Sequence, residues 1–320
     1  MPIISSAYKA PIWIGGKHAQ TIIPNLFRKV VGPPVYIRER ILTEDHDFLD
    51  LDFSYKGHER LAIIAHGIEG NSSGAYILGM VKEFNENKWD GLAWNLRGCG
   101  GELNHSVRSY HAGCIDDLKC VVDYVVKTKK YKEIVLIGFS LGANIILKYL
   151  GDYNESVPRE VSKAVAISAP CDLFACIQAL SSGLNRIYLY HFLIPLKSKA
   201  VKKSKKFPGI FSGIKISKIQ HIIEFDNLIT APLCGFKDAF HYYAECSSKK
   251  SIPDIRVPTL IINAQNDPFL HPSSFPIEEC QKNRFVSLEV PYDGGHQGFI
   301  KKSLRGKYWV DERAIEFVSH

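Results

Sequence analysis

Short apolar runs alternate with longer helical patterns from about residue 60 onward. The runs have the length and composition of buried strands: LAIIAH at 61–66, GLAWN at 91–95, EIVLIG at 133–138, KAVAISA at 163–169, TLIINA at 259–264 and FVSLEV at 285–290. Between them, segments such as 72–88 and 113–130 carry apolar residues at helical spacing. This alternation predicts βαβ units arranged around a mostly parallel sheet flanked by helices.

Two segments near the start have a different period. VYIRERILT at 35–43 and HDFLDLDFSY at 46–55 alternate with a period of two, which predicts an antiparallel pair at one edge of the sheet. Asp45, Asp47, Asp50 and Asp52 alternate with apolar residues in the same region. We interpret these aspartates as the solvated face of the hairpin and not as a cation site.

The alternation is lost between about residues 172 and 252, where aromatic residues, lysines and helix-compatible residues dominate. We therefore predict a helical cap at 172–252, inserted after the sixth strand. Residues 1–171 and 253–320 then form the core. A chain of 320 residues fits one such core with an insertion.

Composition narrows the class of protein. The apolar fraction of 46% and the charged fraction of 23% are ordinary for a globular chain. No window approaches the roughly 18 apolar residues of a spanning helix, and the start lacks the pattern of a signal peptide, so we expect a soluble cytoplasmic protein. The eight cysteines form no CxxC pair, which indicates free thiols and no structural metal.

The formal charge of +7 is concentrated in one segment. Residues 197–218 contain eight lysines and no acidic residue, and without them the chain is close to neutral. We therefore expect no nucleic-acid partner. Apolar residues lie among and after these lysines, namely Phe207, Ile210, Phe211, Ile214 and Ile216. The combination predicts peripheral contact of the cap with an anionic membrane.

The strongest chemical signal is Gly138-Phe139-Ser140-Leu141-Gly142, which lies between a predicted buried strand and a predicted helix. This is the context that a GxSxG nucleophile elbow requires, since the turn is tight and presents the serine at the start of the helix. Ser140 is therefore the candidate nucleophile.

A serine hydroxyl needs a base and a third group that orients the base. Chains with this elbow carry the three groups in the order serine, acid, histidine. Asp267 and His296 fit this order, because each follows a predicted strand and falls at the same sheet edge as Ser140. Asp172, which follows the preceding strand, is the rival acid. His66 and His271 are the rival histidines.

The oxyanion formed during acyl transfer needs two N–H donors. The backbone amide of Leu141, directly after the serine, is one candidate. The other should come from HGIEG at 66–70, where Gly67 permits a close turn and Ile68 is the favoured donor. The alternative is that the HG pair merely ends a strand.

Several motifs together resemble one family. AHGIEGNS, WNLRGCGGELN, GFSLGANIILKYLG, ISAPCDL, NAQNDPF and GGHQGF occur in this order and resemble the YheT-like α/β-hydrolases. That group also includes ethyl ester synthase/esterases and monoacylglycerol or phospholipid lipases of the ABHD type. KHAQTIIP near the start is similar to the His-x-Gln-Thr element of the family. The resemblance implies the α/β-hydrolase fold and assigns Ser140, Asp267 and His296 to the family's triad positions.

These observations predict a carboxylic ester hydrolase that uses a Ser-His-Asp triad and no cofactor. The resemblance implies esters of short or medium acyl chains or acylglycerols as small-molecule substrates. Two alternatives stay open. One is acyl transfer to an alcohol or thiol by the same triad, and the other is a non-catalytic binding module on a hydrolase scaffold.

Overall fold

The computed structural model describes residues 2–320. Its nine strands form one sheet: β1 (Ile3–Ile4), β2 (Ile37–Leu42), β3 (Phe48–Ser54), β4 (Arg60–Ala65), β5 (Asp90–Asn95), β6 (Glu133–Phe139), β7 (Val161–Ile167), β8 (Thr259–Ile262) and β9 (Val286–Glu289). All eight strands predicted from the sequence are present. The two-residue β1 is the addition, so the last strand before the cap region is the seventh in chain order.

Eleven α-helices connect or cover these strands in the described residues: α1 (Lys17–Phe27), α2 (Ala75–Glu86), α3 (Ile115–Lys129), α4 (Leu141–Tyr153), α5 (Leu173–Leu180), α6 (Arg186–Lys206), α7 (Ile222–Phe225), α8 (Ala231–Leu233), α9 (Ala239–Cys246), α10 (Ile277–Gln281) and α11 (Trp309–Ser319). A π-helical turn, Asp226–Thr230, joins α7 to α8. Short 3-10 turns occur at Asn154–Ser156, Gly183–Asn185, Ile216–Lys218, Ser248–Asp254 and Pro272–Ser274.

The strand order is β1-β9-β8-β7-β6-β4-β5-β3-β2. Only β3 runs against its neighbours, because it pairs antiparallel with both β5 and β2. The other pairings are parallel, which confirms the predicted mostly parallel sheet with an antiparallel edge. In such a sheet the loops after β4, β6, β8 and β9 meet at one edge, where ligands of open α/β sheets bind.

The sheet has a core on each face, as the strand pattern predicts. Along β4, Leu61 and Ile63 belong to one hydrophobic cluster, whereas Ala62 and Ile64 belong to the cluster on the other face. Successive side chains of a strand point to opposite faces, so a continuous apolar run is needed where both faces are covered. The strands are thus held in place from both faces, and their carboxyl ends form the sheet edge on which the site is built.

The region predicted as a cap contains no strand in the structure, since β7 ends at Ile167 and β8 begins at Thr259. Part of it has a small core of its own, built from α6, α7 and the segment between them. Phe211 and Ile216 are buried in that core, and Ile210 and Ile214 pack against it. The apolar residues beside the lysines therefore stabilise the cap region. The division into core and cap stays a prediction.

The interpretation of the hairpin aspartates as a solvated face fits Asp45, which is exposed, but was wrong for the other three. Asp47, Asp50 and Asp52 are buried, because arginines neutralise their charges. Arg40 and Arg38 pair with Asp50 and Asp52, with Nε–Oδ1 distances of 2.8 and 2.7 Å. The guanidinium of Arg97 binds Asp45, Asp47 and also Asp117. The sequence pattern shows the alternation but not the arginines that come from other strands and loops.

Two further expectations concern the whole chain. Within residues 2–320, no helix is long and apolar enough to cross a membrane. All eight cysteines are free in this part of the chain.

Candidate active site

Ser140 occupies a strained turn between β6 and α4. Its φ is +52°, a region that non-glycine residues rarely adopt, and its side chain is nearly buried. Neighbouring glycines make the turn possible. A Cβ on Gly138 would lie 2.6 Å from the backbone of Ala143, and one on Gly142 would lie 2.7 Å from the carbonyl oxygen of Ala65. The predicted elbow is therefore present, and it has no room for larger residues.

His296 and Asp267 form the hydrogen bond expected of a base and its orienting acid. His296 Nδ1 lies 2.8 Å from Asp267 Oδ2, and both side chains are buried. The other carboxylate oxygen, Oδ1, accepts the backbone N–H of Phe269 at 2.8 Å. Both carboxylate oxygens of Asp267 are thus hydrogen-bonded. The arrangement leaves Nε2 as the nitrogen of His296 that is free to accept a proton.

Ser140 and His296 line the same cavity. The structure records no hydrogen bond between Ser140 Oγ and His296 within residues 2–320. Such bonds are often long before substrate binds and tighten only in the complex. The loops after β6, β8 and β9 therefore bring together the three residues that the sequence singled out.

The rival groups have other partners. Asp172 caps the N-terminus of α5 by accepting the backbone N–H of Ala175, and it also accepts the hydroxyl of Ser273. His66 is buried, with Nδ1 2.7 Å from the carbonyl oxygen of Gly67 and Nε2 accepting the N–H of Leu96. Burial lowers the pKa of His66 to about 4. Both of its nitrogens are occupied, so it has no free site for a serine proton.

His271, the second rival histidine, is exposed and binds the backbone and side chain of Ser273 through Nδ1. It does not line the cavity that contains Ser140. The geometry around Ser140 therefore favours His296.

The loop after β4 approaches the nucleophile closely, since a Cβ on Gly67 would lie 3.1 Å from Ser140 Cβ. Most backbone N–H groups of this loop already donate a hydrogen bond within the protein. Gly67 N–H donates to the Tyr76 hydroxyl at 3.2 Å, and Glu69 N–H donates to the Tyr110 hydroxyl at 3.0 Å. Gly70 N–H donates to the carbonyl of Gly67. Among residues 67–70, Ile68 alone keeps a free N–H in the described structure.

Leu141 is the first residue of α4. The first N–H groups of an α-helix have no acceptor within the helix. The amides of Leu141 and Ile68, the two donors predicted from the sequence, thus make no other hydrogen bond in the described structure. A donor pair of this kind stabilises a developing oxyanion.

The cavity has a volume of about 330 Å³, which is near the lower end for a small-molecule site. Apart from Ser140 and His296, its wall is largely apolar and aromatic, and much of it comes from the loop after β4, from α1 and from α6 of the cap region. Lining residues include Ile22, Leu26, Ile68, Ile187, Tyr188, Phe192 and Phe269. Such a wall suits an apolar acyl chain.

Comparisons with known proteins bear on the fold and the family. Residues 63–187 match a family model described as the alpha/beta hydrolase fold. The protein YheT of Escherichia coli (strain K12) is 32% identical over 309 residues, which cover 94% of this chain and 90% of that protein. The chain belongs to the YheT-like α/β-hydrolase family. This confirms the resemblance drawn from the motifs and the predicted fold.

This α/β-hydrolase is also similar to a monoacylglycerol lipase of Saccharomyces cerevisiae, which is 30% identical over 266 residues, covering 81% of this chain and 58% of the lipase. Among solved structures, esterase PF2001 of Pyrococcus furiosus superimposes with a TM-score of 0.58 at 18% identity. The match covers 89% of this chain and 90% of the esterase. At that identity the structural likeness supports the fold alone.

In this α/β-hydrolase, the His-x-Gln-Thr element of α1 holds the loop that carries His296. Thr21 Oγ1 accepts the backbone N–H of His296 at 2.9 Å, and Gln20 Oε1 accepts that of Gly294 at 2.8 Å. Gln20 also donates to Asp293. The sequence showed the motif as a family resemblance but gave no role for Gln20 and Thr21. Their role appears only when α1 is seen against the His296 loop.

Three further residues contact His296 or its loop in this hydrolase. Asn266 Oδ1 accepts the N–H of Gly295, and Ser168 Oγ accepts the N–H of Gln297. Phe269 stacks on the imidazole of His296, with 4.0 Å between the ring centroids. Asn266 and Phe269 lie in the NAQNDPF motif, so their neighbourhood to Asp267 was visible in the sequence. Ser168 had no such signal.

The residues of the site do not suit a metal. Within residues 2–320, no group of three or more His, Cys, Asp or Glu side chains is arranged to hold an ion.

Proposed function

We propose that this hydrolase cleaves carboxylic esters through a Ser140–His296–Asp267 triad and an acyl-enzyme intermediate. The observation that carries the proposal is the hydrogen bond from His296 to Asp267, in a cavity that His296 shares with a strained, glycine-flanked Ser140. A base that is oriented by an acid and faces a serine is the arrangement that activates a hydroxyl nucleophile.

In the first step, Ser140 Oγ attacks the ester carbonyl carbon, and His296 Nε2 takes the hydroxyl proton. The amides of Ile68 and Leu141 donate to the oxyanion of the tetrahedral intermediate. As the C–O bond to the alcohol breaks, His296 returns its proton to the leaving oxygen. Asp267 stays ionised and stabilises the imidazolium while it exists.

In the second step, water attacks the acyl group on Ser140, with His296 again acting as base. The tetrahedral intermediate then collapses, Ser140 recovers its proton, and the carboxylic acid leaves. Every group that these steps require comes from the chain itself, and the same two amides serve both intermediates.

The cavity wall supports substrates with an apolar acyl portion of short or medium length. A volume near 330 Å³ is small for a long chain held entirely inside. The name of the yeast relative, a monoacylglycerol lipase, also supports an acylglycerol substrate. We therefore propose short- or medium-chain esters, including acylglycerols.

Labelling with a fluorophosphonate probe tests the activated serine. We expect labelling of the natural protein and none of Ser140→Ala, with Ser73→Ala, a serine outside the cavity, as the matched control. Labelling of Ser140→Ala at the natural rate would overturn the proposal. No labelling of either protein would favour a non-catalytic binding module.

A panel of p-nitrophenyl esters with increasing acyl length tests the substrate class. We expect turnover to be highest for short or medium chains and Ser140→Ala to lose it by several orders of magnitude. The same assay with added alcohol or thiol distinguishes hydrolysis from acyl transfer. A product that is mainly the new ester or thioester would replace hydrolysis by acyltransferase activity.

A further inference from the structure

Exposed apolar side chains surround the mouth of the Ser140 cavity. Ile22 and Leu26 of α1 and Ile187 of α6 line the cavity and also face solvent. The two helices are adjacent there, because His18 Nδ1 lies 3.0 Å from the Tyr188 hydroxyl and the two rings stack. The mouth is thus bordered by apolar groups from two helices that lie far apart in sequence.

The exposed apolar surface continues beyond the cavity wall. Phe27 follows Leu26 on α1, and Leu184, Tyr190 and Ile194 lie before or along the first half of α6. With the three residues of the mouth they form what we call the rim, in which each side chain is between 36 and 70% exposed: Ile22, Leu26, Phe27, Leu184, Ile187, Tyr190 and Ile194.

The first half of α6 is apolar on both sides. Leu189 and Leu193 pack into the core of the cap region, whereas Ile187, Tyr190 and Ile194 repeat at helical spacing on the outer side. A solvent-facing helix normally carries polar residues on its outer face. Large exposed apolar patches mark sites of interaction with proteins or membranes.

The two segments that build the rim carry basic residues and no acidic ones. Residues 2–38, which include α1, contain five lysines or arginines and no acidic residue. Residues 173–223, which include α6, contain nine lysines or arginines and no acidic residue. Exposed apolar residues on two segments that carry basic but no acidic residues fit a membrane surface, which has an apolar interior and anionic head groups at its boundary.

We propose that the rim is a docking surface for membranes that contain anionic phospholipids. The apolar side chains insert among the acyl chains while the surrounding basic residues contact the head groups. The mouth of the Ser140 cavity then faces the bilayer, so that a lipid ester enters without crossing water. The entry of a lipid ester rests on the proposed ester hydrolase function, whereas membrane docking itself requires no turnover.

This surface differs from the lysine-rich segment that the sequence suggested. Lys203 is buried, and its ammonium donates to the carbonyl oxygens of Ser106, Val107 and Arg108. Lys199 and Lys197 also bind groups of the protein. Lys202 and Lys205 on α6 are exposed and make no hydrogen bond or ion pair within the described residues. They are the cations of α6 best able to contact lipid.

Vesicle flotation tests the rim without any substrate. The triple variant Phe27→Ser, Leu184→Ser, Ile194→Ser removes three rim residues that do not line the cavity. The matched control Leu42→Ser, Phe240→Ser, Ile277→Ser removes three comparably exposed residues from β2, α9 and α10. Each protein is mixed with vesicles of phosphatidylcholine alone or of an equimolar mixture with phosphatidylglycerol.

We expect the natural protein and the control to float with the phosphatidylglycerol vesicles, and the rim variant to bind about tenfold less or weaker still. Binding should weaken with added salt, and the variant Lys202→Gln, Lys205→Gln should bind less at low salt. Equal binding by the rim variant, or equal binding of the natural protein to both vesicle types, would overturn the proposal. So would self-association of the natural protein through the rim without vesicle binding, because the occupant would then be a second copy.

Hydrolysis of soluble p-nitrophenyl acetate separates this proposal from the proposed function. We expect the rim variant to retain the natural rate on this substrate. Vesicle binding by a protein that hydrolyses no ester would leave the docking surface standing and remove the esterase. Ester hydrolysis by a natural protein that binds no vesicle would do the reverse.

Discussion

Lys199 Nζ of α6 lies 3.0 Å from Glu69 Oε1, in the loop after β4 whose Ile68 amide is the proposed oxyanion donor. The Tyr110 hydroxyl donates to the same oxygen at 2.6 Å and accepts the Glu69 N–H. Glu69 itself has a φ of +53° and a nearly buried side chain. α6 and the loop after β4 are therefore joined by a partly buried ion pair next to the site.

The first prediction concerns this pair. Lys199→Met keeps the aliphatic stem but removes the charge, which should let Glu69 and the Ile68 amide shift. Loss of a complete oxyanion donor costs about 100-fold or more in kcat, so a displaced donor should lower kcat by about tenfold with KM little changed. Steady-state kinetics on a soluble ester would measure it.

Lys197→Met is the matched control for that variant, because Lys197 is on the same helix and donates only to the carbonyl oxygens of Ser217 and Ile219. Lys199→Arg should recover part of the rate by keeping the charge. If Lys199→Met and Lys197→Met have the same kcat, the ion pair does not position the donor.

The second prediction separates the two candidate acids. Asp267→Asn should lower kcat by about 1,000-fold or more, because the amide holds His296 in the wrong tautomer. Asp172→Asn should change kcat only a few-fold, since Asp172 caps α5 and does not contact His296. The comparison uses folded protein, checked by near-ultraviolet circular dichroism. The reverse ranking would transfer the role of the acid to Asp172.

The third prediction concerns Thr21, whose Oγ1 accepts the backbone N–H of His296. Thr21→Val preserves the shape but leaves that buried N–H without a partner, at a cost of about 1–3 kcal/mol. The His296 loop should relax, and kcat should fall by about tenfold. Thr21→Ser keeps the hydroxyl and should retain most of the rate. Equal rates for the valine and serine variants would show that the hydrogen bond does not position His296.

The fourth prediction concerns pH and stability. Burial lowers the pKa of His66 to about 4 from an ordinary value of 6.5. His66 therefore binds a proton near pH 6.5 in the unfolded chain, but only near pH 4 in the folded chain. Stability from this group is complete above pH 7 and is lost as the pH falls through that window. Between pH 7.5 and 5, the loss amounts to about 2 kcal/mol.

His66→Gln is the matched variant, because a glutamine amide oxygen can still accept the N–H of Leu96 but does not titrate. Urea unfolding at pH 7.5 and pH 5 should show a smaller fall in the free energy of unfolding for the variant, by about 2 kcal/mol. Burial also raises the pKa of Asp226, to about 6, which acts in the opposite direction. That contribution is common to both proteins and cancels in the comparison. Parallel pH dependence in the two would contradict the prediction.

Most of the sheet could be predicted because its strands are buried on both faces and so leave continuous apolar runs. The run EIVLIG gave β6, and the alternation of HDFLDLDFSY gave β3. By contrast, β1 has only Ile3 and Ile4, which is too short to show any period. Helix α1 was also missed, since it carries Pro24 in its interior and lies outside the βαβ pattern.

The candidate triad could be predicted because its residues follow strands, and parallel strands bring their ends together. The hydrogen bonds that hold the triad in place could not be predicted. Thr21, Ser168 and Asn266 each contribute a single acceptor to the His296 loop. Thr21 and Asn266 lie in recognised motifs, but these motifs do not show which backbone N–H each residue accepts. One such oxygen leaves no pattern in a sequence. Asp47 was misinterpreted for the same reason, since Arg97 reaches it from another loop. The period-two alternation also does not show that Arg40 and Arg38 of β2 pair with Asp50 and Asp52.

The dependence of the His296 loop on α1 sets the order in which activity can arise during synthesis. A ribosome makes Ser140 and the HGIEG loop when less than half of the 320 residues exist. The histidine comes 156 positions after the serine, and its backbone partner Thr21 was made 275 positions earlier. A nascent chain thus carries a serine without its histidine for about half of the 320 residues. The first turnover therefore indicates that α1 has packed against the His296 loop.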